Sequence, residues 1–133
     1  MDVIWTATDP DSRRLLPAER RTSAADYIAR IEALRATGEG YTEMRRAGQQ
    51  YPVLTLSFKD GYSVIHQFAN ADTVLLLAGD GMVGSHETVL VPVDADWAEF
   101  SGDYVLSAEH AWMVVKEFLR HGAVEDLGVW REL

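Results

Sequence analysis

The chain has 133 residues, 47% of them hydrophobic and 25% charged, with a formal net charge of −9 and no cysteine. That size and composition describe one globular domain with a single core and exclude general disorder. They also exclude disulfides, thiolate zinc sites and cysteine nucleophiles. An acidic balance opposes direct binding to nucleic acid or to anionic lipid headgroups, both of which call for clustered Lys and Arg.

The charge is unevenly placed. Between Lys59 and Lys116 lie 56 residues without Lys or Arg, and they carry nine carboxylates: Asp60, Asp72, Asp80, Glu87, Asp94, Asp96, Glu99, Asp103 and Glu109. Residues 1–50, by contrast, balance eight acids against eight arginines. The first 21 residues hold two Arg pairs and no long apolar stretch, which argues against a secretory signal. The longest aliphatic run, Val74 to Ala78, is far too short to cross a bilayer. The expected compartment is the cytoplasm.

In chain order, Asp2 to Ala7 reads as a short first strand, followed by a polar stretch from Asp9 to Arg21. Ser23 is a helix N-cap, and Tyr27, Ile28, Ile31 and Leu34 then repeat at helical spacing until Gly38 and Gly40. From Pro52 the period becomes two. Leu54, Leu56 and Phe58 alternate with Val53, Thr55 and Ser57, Asp60-Gly61 supplies a turn, and Tyr62 to Ala69 completes a hairpin. Thr73 to Ala78 is apolar on both faces, as in a central strand, and Gly79 to Gly84 reads as a hairpin turn. Thr88 to Val93 is a further strand that Pro92 confines to an edge. Asp94 to Asp103 reads as a loop, Tyr104 to Leu106 as a short strand, and Ser107 as the cap of a second helix. Ala111, Trp112, Val115, Phe118 and Leu119 form the apolar stripe of that helix, and Gly122 stops it. Val129-Trp130 is either a last strand or an anchor on the core. The fold class that follows is α+β: a single domain over residues 1–133, with a mainly antiparallel sheet of four to six strands and two helices packed on one face.

No catalytic motif is complete. His86-Glu87 opens like a zinc-protease helix, but Leu90 stands where the second His is required. Gly79, Gly81 and Gly84 mimic a dinucleotide fingerprint, yet a strand follows instead of a helix, and Asp80 would repel a pyrophosphate. Asp94, Asp96 and Glu99 lack the turn glycine and full ligand set of a calcium loop. His66, in phase with Tyr62, Val64 and Phe68, reads as a hydrogen-bonded, half-buried histidine rather than a general base. No catalytic residue, metal site or cofactor is expected. What remains is the mixture of acids and aromatics from Asp94 to Tyr104, a composition suited to a protein interface. Aromatic side chains anchor such a contact, and carboxylates steer and pair a basic partner.

The order and spacing of several short elements resemble a known family. They are Pro52-Val53-Leu54-Thr55-Leu56 opening the hairpin, Val64-Ile65-His66 in its second strand, and Gly79-Asp80-Gly81 after the third. Leu106-Ser107 then leads into a helix with Ala111 and Phe118, followed by Gly122 and, eight residues later, Trp130. Over residues 22–131 the chain resembles family one of the immunity proteins of bacterial polymorphic toxin systems, many of whose neighbours are nucleic-acid deaminase toxins. One departure is Glu125, at a position where that family often has proline. The resemblance implies an α+β fold and a non-catalytic task, binding and blocking a cognate toxin inside the producing cell. The expected partner is a protein toxin with a basic active-site surface, and the free chain is expected to be a monomer or weak homodimer. The candidate partner-binding residues are Asp80, Asp94, Asp96, Trp97, Glu99, Asp103 and Tyr104. The rival readings are a secretion chaperone or adaptor for a basic effector, and a small metal- or ligand-binding enzyme using His66.

Overall fold

The computed structural model describes residues 1–133 as three layers: two helices, an eight-stranded sheet and a two-stranded hairpin on the sheet's opposite face. The first strand, β1 (Asp2–Ala7), pairs antiparallel with β2 (Arg20–Ser23), so the polar stretch after β1 ends in a strand that its composition conceals. Ser23 then caps α1 (Ala24–Arg35), its hydroxyl accepting the Asp26 N–H at 3.1 Å. Gly38, at φ +92°, turns the chain into β3 (Glu39–Arg46), a strand absent from the sequence expectation.

The expected hairpin is present as β4 (Val53–Lys59) and β5 (Tyr62–Asn70). Asp60 and Gly61 both take positive φ, +54° and +89°, as the favoured two-residue hairpin turn requires. β6 (Thr73–Leu77) follows. The next strand, β7 (Thr88–Val93), pairs only with β8 (Asp96–Ser101). Two expectations are thereby corrected. Gly79 to Gly84 is not a tight turn between paired strands but part of a connection between layers, and Asp94 to Asp103 is not a loop. It comprises a two-residue turn, a strand and a 3-10 turn over Gly102–Tyr104. β9 is only Leu106–Ser107. Ser107 caps α2 (Ala108–His121), and Gly122 ends that helix in the left-handed conformation at φ +72°. β10 (Trp130–Glu132) pairs with β6, and the Trp130 indole N–H also donates to the Val124 carbonyl at 2.8 Å, so the tail is both strand and anchor.

The main sheet runs β10-β6-β5-β4-β3-β1-β2, entirely antiparallel, with β9 paired beside β5. Its eight strands exceed the expected four to six because β2, β3 and β10 are short or polar. The strand period of two divides its faces. Val3, Trp5, Met44, Leu54, Leu56, Phe58 and Ile65 face Tyr27, Ile31 and Leu34 of α1 and Ala111, Val115, Phe118 and Leu119 of α2, forming the larger core. The Trp112 indole N–H donates to Glu32 Oε1 at 2.9 Å and ties the helices together. On the other face Val64 and Leu76 meet Val83, Val91 and Val105 in a smaller core under the β7–β8 hairpin. β4 is therefore covered on both sides, and Leu54 to Phe58 are all buried.

Candidate partner-binding surface

The β7–β8 hairpin owes its geometry to Pro92. With no N–H to donate, Pro92 must occupy a non-hydrogen-bonded pair, opposite Trp97, which leaves the ladder bonds to the pairs Val93–Asp96, Val91–Ala98 and Val89–Phe100. The reversal is made by Asp94 and Ala95, with Asp94 at φ +57°, a left-handed conformation that Asp tolerates better than most residues. Strand alternation then turns Val89, Val91, Ala98 and Phe100 towards the sheet and leaves Leu90, Trp97 and Glu99 outward.

The candidate residues fall into three settings. At the hairpin tip, Asp94 and Asp96 are exposed, and the Asp96 carboxylate accepts the Trp97 N–H at 2.8 Å. On the outer face, Trp97 is 43% exposed and stands beside Glu99 and the 48% exposed Leu90. At the base, about 20 Å from the tip along a six-residue strand, Asp103 is exposed on the 3-10 turn. Tyr104 instead packs, half-buried, on the smaller core. Of the two aromatics within the strand, Phe100 turns inward and meets the His66 ring edge-on at 5.4 Å, while Trp97 remains available.

Asp80 is set apart by its hydrogen bonds. Its carboxylate accepts from Ser107 N at 2.9 Å and Met82 N at 3.2 Å, and lies 3.3 Å from His110 Nδ1. Partial burial raises the pKa of this carboxyl, but the bonds from Ser107, Met82 and His110 outweigh that and hold it below the usual carboxylate range. Asp80 thus secures the start of α2, a role internal to the fold.

The electrostatic pattern is the clearest property of this region. Of the nine carboxylates between Lys59 and Lys116, only Asp80 has a basic side chain within 4.0 Å; the other eight have none, and all eight are exposed. In residues 1–50, Asp2, Glu19, Asp26, Glu32 and Glu39 each meet an arginine. Two cationic features border the hairpin. Lys59 Nζ lies 4.8 Å from the Trp97 ring centroid, and Arg13 and Arg14 share with Asp94, Asp96 and Trp97 a cleft of about 450 Å³. Sequence reasoning passed over Leu90 and Lys59. The alternation through Thr88 to Val93 marks Leu90 as one face of a strand, but only the pairing with β8 shows that this face points outward.

His66 is buried, with 9% exposure, and makes no hydrogen bond to the protein, which corrects the expectation of a hydrogen-bonded ring. Burial lowers its pKa to about 4, so the imidazole is neutral at pH 7. The nearby Tyr41 hydroxyl donates to Glu43 Oε2 at 2.6 Å, and burial, with Glu43 and Asp94 adding to it, raises its pKa far above the usual value. Nowhere do three or more His, Asp or Glu side chains converge to hold a metal ion; Asp96 and Glu99 point to opposite sides of the hairpin. No helix is long and apolar enough to cross a membrane. Chemically, the hairpin offers a row of uncompensated carboxylates and an accessible indole, the means to hold a basic surface. Compared with known proteins, the chain matches no family model and no curated protein, so the likeness to immunity proteins rests on the residues quoted for it.

Proposed function

We propose that this chain is an immunity protein, which binds and neutralises a cognate protein toxin acting on nucleic acid, such as a deaminase or nuclease, in the cytoplasm of the producing cell. The observation that carries the reading is that none of the eight exposed carboxylates other than Asp80 in residues 60–115 forms an ion pair within 4.0 Å. The spacing resemblance supplies the partner class. An enzyme that grips DNA or RNA presents a basic groove, and a carboxylate-bearing surface that fits it is attracted by the same Lys and Arg side chains that hold phosphates. The hairpin, with Asp94 and Asp96 at its tip, Glu99 on its outer face, Asp103 at its base and Trp97 as an apolar anchor, offers such a groove negative charge. Close charge pairs between a ribonuclease and its protein inhibitor are coupled by about 1.5–7 kcal/mol, enough for one or two of these carboxylates to be decisive.

The test uses the protein encoded beside this one, purified with its catalytic residues disabled. Its association rate is measured at about 20 mM and about 500 mM salt, where the Debye length falls from roughly 20 Å to about 4 Å. A fall of tenfold or more is expected, and the quadruple neutral variant D94N/D96N/E99Q/D103N should lose most of that salt dependence while still folding. An association rate indifferent to both salt and variant would refute the electrostatic reading. Failure of the active neighbour to harm cells lacking this chain would refute the toxin assignment.

A further inference from the structure

Beside the hairpin, on the same face of the sheet, lies a cleft of about 360 Å³ whose walls come from β3, β4, β5, β6, β7 and the tail: Tyr41, Thr55, His66, Phe68, Asp72, Val74, Val93 and Leu133. It is at the small end of the range for ligand sites. Its walls are apolar or aromatic, and its polar groups are unusual. The Thr55 hydroxyl, on a residue only 1% exposed, makes no well-formed hydrogen bond and has the Tyr41 hydroxyl as its nearby acceptor. The Tyr41 hydroxyl spends its proton on Glu43 and keeps its oxygen as an acceptor. Buried polar groups without partners are few in native proteins and call for a reason.

The charge around the cleft has one sign. Asp72 stands at the rim, Glu43 behind Tyr41, and Asp94 close enough to act on Tyr41, and none of the three has a Lys, Arg or His within 4.0 Å. The bases on this face are committed elsewhere. Arg45 meets Glu19 and donates to the Gln49 carbonyl, and Arg131 lines a different cleft beside Gly79 and Asp103. His66, the one titratable base in the wall, is neutral at pH 7.

We infer that this cleft receives a guanidinium group on an apolar stem, an arginine side chain of the basic partner, with Asp72 as its charge partner and the Tyr41 and Phe68 rings against its plane and stem. The inference rests on the reading of a basic protein partner and adds a specific anchor to it. A planar delocalised cation fits such a site because it stacks on aromatic faces, presents several donors to acceptors such as Thr55 and Tyr41, and is more weakly hydrated than an ammonium ion. Arginine is also among the residues that dominate interface energetics.

The test does not need the partner. Benzamidinium, neutral benzamide and anionic benzoate have nearly the same shape and differ in charge. In NMR titrations of the full chain, benzamidinium should produce saturable shifts of the Phe68 ring, the His66 imidazole and the Val74 and Val93 methyls. Benzamide should bind at least tenfold more weakly, and benzoate should give no saturable shift. Asp72→Asn should weaken benzamidinium at least fivefold, and Val74→Trp, which fills the cleft from a half-exposed position, should abolish binding while the remaining amide spectrum stays folded. No saturable benzamidinium shift at these residues, or equal binding of benzamide, overturns the inference. If that happens while a basic neighbour still associates with steep salt dependence, the cleft assignment falls and the acidic-hairpin reading stands.

Discussion

His66 gives the fold a pH dependence that can be worked out from one buried ring. It lies in β5 between Thr55 and Leu76 on the flanking strands, under the edge of Phe100, and burial lowers its pKa from the ordinary 6.5 to about 4. Below pH 6.5 the unfolded chain takes up a proton that the folded chain refuses, so stability falls as pH drops and levels off below about pH 4. At about 1.4 kcal/mol per pH unit the full loss is about 3 kcal/mol, of which about 2 kcal/mol appears between pH 7 and pH 5. That is a large fraction of the roughly 5–15 kcal/mol that holds a small domain folded. Urea unfolding of the native protein and of His66→Gln at pH 7, 6 and 5 measures it. Every other titratable group is common to both proteins, so the difference between the two curves isolates the ring. The native protein should lose about 2 kcal/mol more than the variant between pH 7 and 5. Parallel pH profiles would refute the argument and show that His66 accepts its proton in the folded state.

Two further outcomes follow from side chains on the path between the layers. Asp80→Asn should destabilise by about 1–2 kcal/mol at pH 7, the usual cost of losing a helix-terminal cap. Because the bonds from Ser107, Met82 and His110 hold the folded carboxyl below its usual range, that cost should fade as pH drops through the folded pKa; denaturation at pH 7 and at successively lower pH checks both, and a cost that never changes with pH would refute the capping role. Gly79→Ala would place a methyl group 2.5 Å from the Val105 carbonyl oxygen, so a loss of about 1–3 kcal/mol is expected in urea, and a loss below about 0.5 kcal/mol would show that the interlayer connection gives way easily.

The parts of this fold that sequence made legible are those whose signals are local. Ser23, Ser107 and Gly122 mark helix ends because each satisfies backbone groups within three or four residues of itself. Asp60-Gly61 marks a hairpin because both residues tolerate positive φ. β3 was hidden because its burial comes from its neighbours. Thr42 is fully buried, and its hydroxyl bonds to Tyr27 of α1 and the Thr6 carbonyl of β1, contacts that composition does not encode. β8 carried a legible alternation, Ala98 and Phe100 against Trp97 and Glu99, but its Asp94-Ala95 turn lacks the glycine that usually announces a two-residue hairpin. The same omission hid how the candidate residues are arranged. Read as a loop, residues 94–103 form one cluster; as a strand, they send Phe100 inward, Trp97 and Glu99 outward, and hold Asp94 and Asp103 at opposite ends.

That separation also decides what the net charge means. Five of the ion pairs lie wholly within residues 1–50: Arg21 with Asp2, Arg45 with Glu19, Arg30 with Asp26, Arg35 with Glu32 and Arg13 with Glu39. Exposed pairs of this kind contribute little to stability, at most about 1 kcal/mol each, so their chief effect is on the field. They pair five of the eight amino-terminal acids in space, so unpaired negative charge is concentrated in residues 60–115. Along the hairpin that charge is unevenly offset. Arg13 and Arg14 share a cleft with Asp94 and Asp96 at the tip, Lys59 lies against the Trp97 ring, and Arg131 lines a cleft with Asp103 at the base, whereas Glu99 lines neither cleft. A basic partner therefore meets negative charge unshared with a base at Glu99 on the outer face, and the tip and base, where anionic and cationic side chains share clefts, are suited to fixing its orientation.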